Sequence, residues 1–347
     1  MIGQSPSMRG VKMKKQLIGT TALVSAGLLA GAAVHQDAMA ADPLELSIGG
    51  YYQVSLELRN EDDDTGEPGH NIQEFSVLDD GEIQFTASTT LDNGIGVKAR
   101  IEYEGFNAGG GNTVVDERWV EFSGTFGKLV IGSNDDAAKE MQYQAPAGSY
   151  QMGVNTATFA IPAVGGNAIG GYPTTFVGPS GDSQKIIYFS PRFSGFQLGL
   201  SYSPDDRVHE NQDGGSINDD EPGRQKDIFS IGVNFVDSFG GVDIAVAGGY
   251  DRGDLQKDPL TGTTTTKTTT IGVTAVGGVG VVVTNTNINA APGNQGDDEE
   301  VWTAGLTVGF AGFAVGGSYV HTNNGAQSAD QDTWDAGVSY SNGPLTV

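Results

Sequence analysis

Charged side chains gather at two places where their type and spacing could do chemistry. Asp135, Asp136 and Glu140, with Lys139 among them, open an irregular stretch that runs from Ser133 to Ser183, with Asp182 near its end. Lys98 and Arg100 share one face of a strand-patterned stretch with Glu102 and Glu104. Arg118 is a third basic candidate, but Val120 and Phe122 share its parity and leave its facing open. Neither group has the spacing of a nucleophile with its base or of a metal centre. His35, His70, His209 and His321 are scattered without ligand spacing, and Gly109-Gly110-Gly111 lacks the Gly-Lys-Ser/Thr of a phosphate loop. What remains is electrostatics: fixed charges of both signs acting on whatever passes them.

The elements that must hold these charges are strands. From Leu44 to Leu58 the even positions are Leu44, Leu46, Ile48, Gly50, Tyr52, Val54, Leu56 and Leu58, while the odd ones are mostly polar. This strict alternation predicts a strand with one apolar and one polar face, long enough to cross a bilayer, for which ~9–11 tilted residues suffice. Ile83, Phe85, Ala87, Thr89 and Leu91 follow, then the hairpin turn Asp92-Asn93-Gly94, then Ile95, Val97, Ala99, Ile101 and Tyr103. Two short strands joined at Ser123-Gly124 lead into the irregular stretch. At about fifty residues, it is too long to be idle inside a compact domain. It is expected to fold inward and narrow a central passage. The same alternation resumes at Gln184 and continues to the C-terminus. It includes an expected hairpin in which Ile271, Val273 and Ala275 face Val279, Val281 and Val283.

Composition limits the setting. The sequence has 347 residues, no cysteine and a formal charge of −25. Arg9, Lys12, Lys14 and Lys15 precede an apolar run from Leu17 to Val34 and the small-x-small site Ala38-Met39-Ala40. That is the pattern of a secretory signal peptide over residues 1–40, with translation starting at Met13 or Met8. Its removal makes the mature chain, from residue 41, more acidic still. Such a surface repels nucleic acid and anionic headgroups. The acidic runs Glu61 to Asp64, Asp219 to Glu221 and Asp297 to Glu300 lack the ligand order of an EF-hand. They read as solvated charge, with loosely held Ca²⁺ as the alternative, and no cofactor is expected.

No later segment approaches the ~18 apolar residues of a spanning helix. Long polar connections and short glycine-containing turns alternate throughout, and Tyr202, Tyr250, Trp302, Trp334 and other aromatics gather near strand ends. Both features predict an all-β, antiparallel, up-and-down transmembrane barrel. A soluble β-sandwich gives no reason for one-sided loop lengths. The pattern supplies fourteen strands and the start of a fifteenth, broken off at Val347. Closed single-chain barrels have even strand numbers, so sixteen are expected in a complete protein.

Three stretches carry a resemblance. They are Asp116-Glu117-Arg118-Trp119-Val120-Glu121-Phe122 with Gly127-Lys128-Leu129-Val130-Ile131-Gly132, the run from Tyr188 to Tyr202, and Thr90-Leu91-Asp92-Asn93-Gly94. In these the sequence resembles Gram-negative general porins, particularly those of alphaproteobacteria. The resemblance implies a sixteen-stranded barrel, a homotrimer in the outer membrane among lipid and lipopolysaccharide, and a third outer loop (here 133–183) folded inward. It also implies loop carboxylates set against wall cations: Asp135, Asp136 and Glu140 against Lys98 and Arg100, with Arg118 less placed. The function that follows is passive diffusion of small hydrophilic solutes and ions, with net acidity favouring cations. A sugar-specific channel, a barrel enzyme and an adhesive surface barrel remain as alternatives, although no catalytic constellation supports the enzyme.

Overall fold

A computed structural model describes residues 42–58, 75–104, 115–146, 175, 178–206, 224–256, 297–323, 325, 330–343 and 345–346. The expected signal segment 1–40, the acidic runs at 61–64 and 219–221, and the expected hairpin at 271–283 lie outside the described residues.

Among the described residues thirteen strands form one sheet whose order follows the chain: β1 (Glu45–Leu58), β2 (Phe75–Thr90), β3 (Gly96–Glu104), β4 (Val115–Gly124), β5 (Gly127–Ser133), β6 (Gln184–Phe189), β7 (Phe196–Asp205), β8 (Gln225–Phe239), β9 (Val242–Leu255), β10 (Glu299–Phe310), β11 (Phe313–Thr322), β12 (Gln331–Asn342) and β13 (Leu345–Thr346). A short helix, α1 (Ala137–Glu140), lies between β5 and β6. Each strand bonds its chain neighbour antiparallel, as expected of an up-and-down meander. Among the described residues no helix is long and apolar enough to cross a membrane.

β9 bonds β10 directly, from Glu299 opposite Gly253 to Phe310 opposite Val242. The two satisfy each other's backbone along a twelve-residue ladder and stack Tyr250 on Trp302, ring centroids 4.2 Å apart.

The two faces differ in kind. Leu46, Ile48, Val54, Leu198, Leu200, Ile231, Val233, Leu306, Val315 and Val338 are exposed, while Ser201, Ser230, Asn234, Thr303, Thr307 and Asp335 on the opposite parity are buried. A water-soluble sheet does the reverse. Aromatics form two belts on the apolar face. Tyr202 with Phe229, and Tyr250 with Trp302, stand toward the long connections. Phe196 with Phe235, and Phe313 with Tyr340, stand toward the short turns. Such belts mark the two interfaces of a bilayer. The turns are tight: Ala311 and Gly312 both have positive φ (50° and 87°), the conformation that lets two residues reverse a twisted hairpin. The β4–β5 turn falls at Thr125-Phe126, two residues beyond the expected Ser123-Gly124, and β4 runs to Gly124.

Candidate functional site: the inward segment and the charged wall

After β5 the chain leaves the ladder and lies on the polar face of the sheet. Its neck is closed from both sides. The Ser133 hydroxyl donates to the Asp182 carbonyl, and the buried Lys185 ammonium on β6 donates to the carbonyls of Asn134 and Gly181. Asp136 then caps α1: its Oδ1 accepts the Lys139 N–H at 3.0 Å, and Ser180 donates to its Oδ2 at 3.2 Å. Ala137 and Ala138 follow, small enough to press the helix onto the wall. Their N–H groups donate to the hydroxyls of Ser201 on β7 (3.1 Å) and Ser230 on β8 (2.9 Å).

The segment goes on across β8 to β12. Asn234 donates to the Met141 carbonyl at 3.3 Å, Thr307 to the Gln144 carbonyl at 3.1 Å, and the Ala145 N–H to Asp335 at 3.0 Å. Glycines on the wall make this contact possible. A Cβ at Gly232 would sit 2.7 Å from the Ala137 carbonyl oxygen, one at Gly249 2.8 Å from the Ala138 Cβ, and one at Gly305 1.8 Å from the Tyr143 carbonyl oxygen. Under the neck, Val130, Ala137, Met141, Ile187 and Phe189 form a small apolar cluster with Trp119 against it.

The expected site residues do not all meet. Asp136 is 1 % exposed, so it is a helix cap and not a charge presented to the passage. Burial pushes its carboxyl above the ordinary range, opposed by the Lys139 N–H and the Lys185 ammonium. Asp is a preferred N-cap because its short carboxylate reaches the free N–H groups of the first helical turn. Arg118 stands opposite Ile101, which is 42 % exposed on the apolar face, so it does not join the inner charges. Glu140 is exposed. Asp135 is half-buried, with the Lys139 ammonium 2.5 Å from its Oδ1. Burial works against the Lys139 charge, but Asp135, and behind it Asp182 and Asp136, hold its pKa above the usual value.

Lys98 and Arg100 do face inward, as the alternation predicts, but their partners are on their own wall. Lys98 lies 3.5 Å from Glu121 and Arg100 2.8 Å from Glu102. Both stand over the Trp119 ring, at 5.9 and 5.3 Å from its centroid, and Trp119 Nε1 donates to Glu117 at 3.1 Å. Lys128 completes the set, 3.8 Å from Glu121 and 4.5 Å from the Phe189 ring. Sequence reasoning missed Glu117, Trp119, Glu121 and Lys128. Setting β4 against Lys98 finds Glu121, its direct partner, and with it Glu117 and Trp119 on the same parity, while Lys128 needs the β4–β5 register as well.

Acids outnumber these cations. Carboxylate oxygens of Glu117, Asp135 and Asp182 lie within 4.8 Å of one another, as do those of Glu82, Glu102 and Asp116. Exposed carboxylates also sit at the Asp297–Glu300 run, where Arg252 reaches Asp298 at 3.2 Å and Glu300 at 4.0 Å. Charge reversal at Arg100 (Arg100→Glu) leaves Glu102 without its guanidinium and adds a carboxylate to the wall. One unit charge about 4 Å from an ion is worth ~1 kcal/mol in water, a roughly fivefold change in local cation concentration. The expected result is a marked rise in cation over anion permeability in planar bilayers; an unchanged ratio would place Arg100 away from the ion path.

An up-and-down sheet with its apolar side outward, and a peptide segment laid across its polar side, is the arrangement of a membrane barrel built around water. The chain belongs to the Gram-negative porin family, whose model matches residues 19–347. It is accordingly an outer-membrane β-barrel channel, and its family is one of channels rather than enzymes. Solved structures that it resembles include a loop-deletion mutant of OmpT, an outer membrane protein of Vibrio cholerae (14 % identity, 86 % of this chain and 100 % of that one, TM-score 0.36). Others are an anion-selective porin from Comamonas acidovorans (13 %, 85 % and 98 %, 0.35) and a mutant of the Rh. blastica porin (14 %, 84 % and 99 %, 0.35). The family match, not these distant likenesses, carries the assignment. No curated protein matches the chain.

Proposed function

We propose that the protein conducts small hydrophilic solutes and ions by passive diffusion, with a modest preference for cations, and that the inward segment within 133–183 sets its narrowest point. The observation that supports this reading is the grouping of Glu117, Asp135 and Asp182 beside the neck of the segment, with Lys139 bound to one of them. A passage lined by an excess of one sign concentrates the opposite ion. Under the same reading the chain is exported through the periplasm, cleaved near Ala40, and assembled as a homotrimer among lipopolysaccharide and lipid. It works without a cofactor, and any Ca²⁺ at the acidic runs is loosely held.

Reversal potential in a salt gradient across a planar bilayer tests the selectivity, and a preference for anions would defeat it. Replacing Asp135 and Asp182 together by asparagine is expected to lower the cation preference while leaving a conducting channel. pH should act in the same direction. Burial, then the neighbouring carboxylates Asp135 and Asp116, push Asp182 up to about 6, against the pull of Lys139 and Lys185. Above that pH Asp182 is charged and attracts cations; below it the carboxyl is neutral. Cation preference is therefore expected to fall as pH drops through about 6, and the Asp182→Asn channel should lose that step. Because the raised value favours the protonated form in the folded state, the same drop in pH relieves strain on the fold.

A further inference from the structure

We propose that Asp335 is the latch of the inward segment, and hence the positioning residue for the narrow point; this rests on the reading that the segment narrows the passage. Asp335 lies on β12 and is 4 % exposed. Its Oδ1 accepts the Ala145 N–H at 3.0 Å and the Ser318 N–H at 2.6 Å, while its Oδ2 accepts the hydroxyls of Thr175 at 2.6 Å and Ser318 at 3.0 Å. Ala145 belongs to the outgoing limb of the segment and Thr175 to the returning limb. Ser318 is the cross-strand partner of Asp335 on β11. One carboxylate therefore joins both limbs to the wall. The limbs also meet each other there, through the Gln142 side chain and the Thr175 carbonyl.

The chemistry of the site selects a carboxylate. Among the described residues at least four hydrogen bonds converge on its two oxygens, a number that a carboxylate, with roughly four lone-pair sites, can accept. Asparagine would offer one oxygen and turn two N–H groups against donors already present. Asp335 is on the inner face of β12, but the limbs cover it and leave it 4 % exposed, so its effect on ions runs through the limbs it holds. This separates it from Asp135 and Asp182, whose charge acts directly.

The chain has no cysteine, which gives a direct probe. A Cβ at Gly337, on the same face as Asp335, would lie 3.1 Å from the Ala145 Cβ. A disulfide needs about 3.8 Å, a small relaxation away. In the folded channel, Ala145→Cys with Gly337→Cys is expected to cross-link readily on oxidation. Adding Asp335→Ala should slow cross-linking about tenfold, the scale of one lost charge-assisted hydrogen bond. The same change should raise single-channel conductance and current noise, and closing the disulfide should restore both. Equal cross-linking rates with and without Asp335 overturn the latch. Slower cross-linking at unchanged conductance upholds the latch and overturns the reading of the segment as the narrow point. Should Asp335→Ala fail to assemble, Thr175→Val removes one donor and leaves the carboxylate in place. Increased current noise in that variant supports the latch, and wild-type noise overturns it.

Discussion

Gly305→Val is expected to drive the inward segment off the wall and widen the channel. The position sits midway along β10 on the inner face, and a Cβ there would stand 1.8 Å from the Tyr143 carbonyl oxygen. That atom is backbone, so no side-chain rotation can relieve the overlap. Contact distances between carbon and oxygen are roughly twice as long, so the segment between Gln142 and Ala145 has to retreat by more than an ångström. The retreat breaks the bonds from Thr307 to Gln144 and from Ala145 to Asp335 on either side. Overpacking of this kind costs ~1–3 kcal/mol. The sheet itself keeps every ladder bond, because valine is a favourable strand residue. The expected outcome is a channel that still assembles, with larger and noisier single-channel currents and a higher solute size limit in liposome-swelling assays. Wild-type conductance together with wild-type thermal stability would show that the segment does not lie where β10 holds it. Gly248→Val on the neighbouring strand is the control, since its added Cβ would meet nothing closer than 3.7 Å.

The second large effect concerns the other face. Ile231, at the middle of β8, stands between Leu200 and Tyr250 and is 42 % exposed. In a bilayer that exposure is to hydrocarbon. Ile231→Arg is expected to lower folding stability in lipid by ~2–4 kcal/mol, the penalty for a guanidinium near the midplane of a barrel. Thr86→Gln, on β2 opposite Arg100 on the inner face, should change stability by no more than ~0.5 kcal/mol. Urea titration of protein folded into vesicles measures both. Similar losses at the two sites, or a larger loss at Thr86, would invert the assignment of faces on which the channel depends.

Much of this arrangement was legible from alternation alone. The facing of Leu46, Ile48 and Val54 was correct, as was that of Lys98 and Arg100, because a period of two fixes which side of a pleat a residue occupies. Alternation says nothing about which strand lies alongside. Partner identity is a non-local property: that β9 lies beside β10, from Glu299 opposite Gly253 onward, emerges only from the ladder itself. Arg118 was ambiguous for the same reason: its parity resolves only when β4 is set against Ile101 on β3.

The site was harder to read than the fold. Three acids close together suggested three charges for the passage, but one of them, Asp136, is consumed locally as a cap. The wall cations were found, as was Glu102 beside Arg100 on the same strand, but Glu121, the partner of Lys98, was not, because it sits on the adjacent strand. The glycines of β8, β9 and β10 carry no side-chain signal by which alternation could assign them a role. Their purpose emerges only when a segment far earlier in the chain is laid across them, with Gly232 under Ala137, Gly249 under Ala138 and Gly305 under Tyr143.

The ties that hold the segment to the wall are mainly hydroxyls, amides and carbonyls: Ser201, Ser230, Asn234 and Thr307 each bind it without an ion pair. Bonds of this kind are indifferent to dissolved electrolyte, whereas the reach of Asp135 and Asp182 shrinks from ~8 Å to ~3 Å between physiological and molar ionic strength. In concentrated brine the protein should therefore remain the same mechanical sieve, rejecting the same molecular sizes, while its discrimination by sign fades.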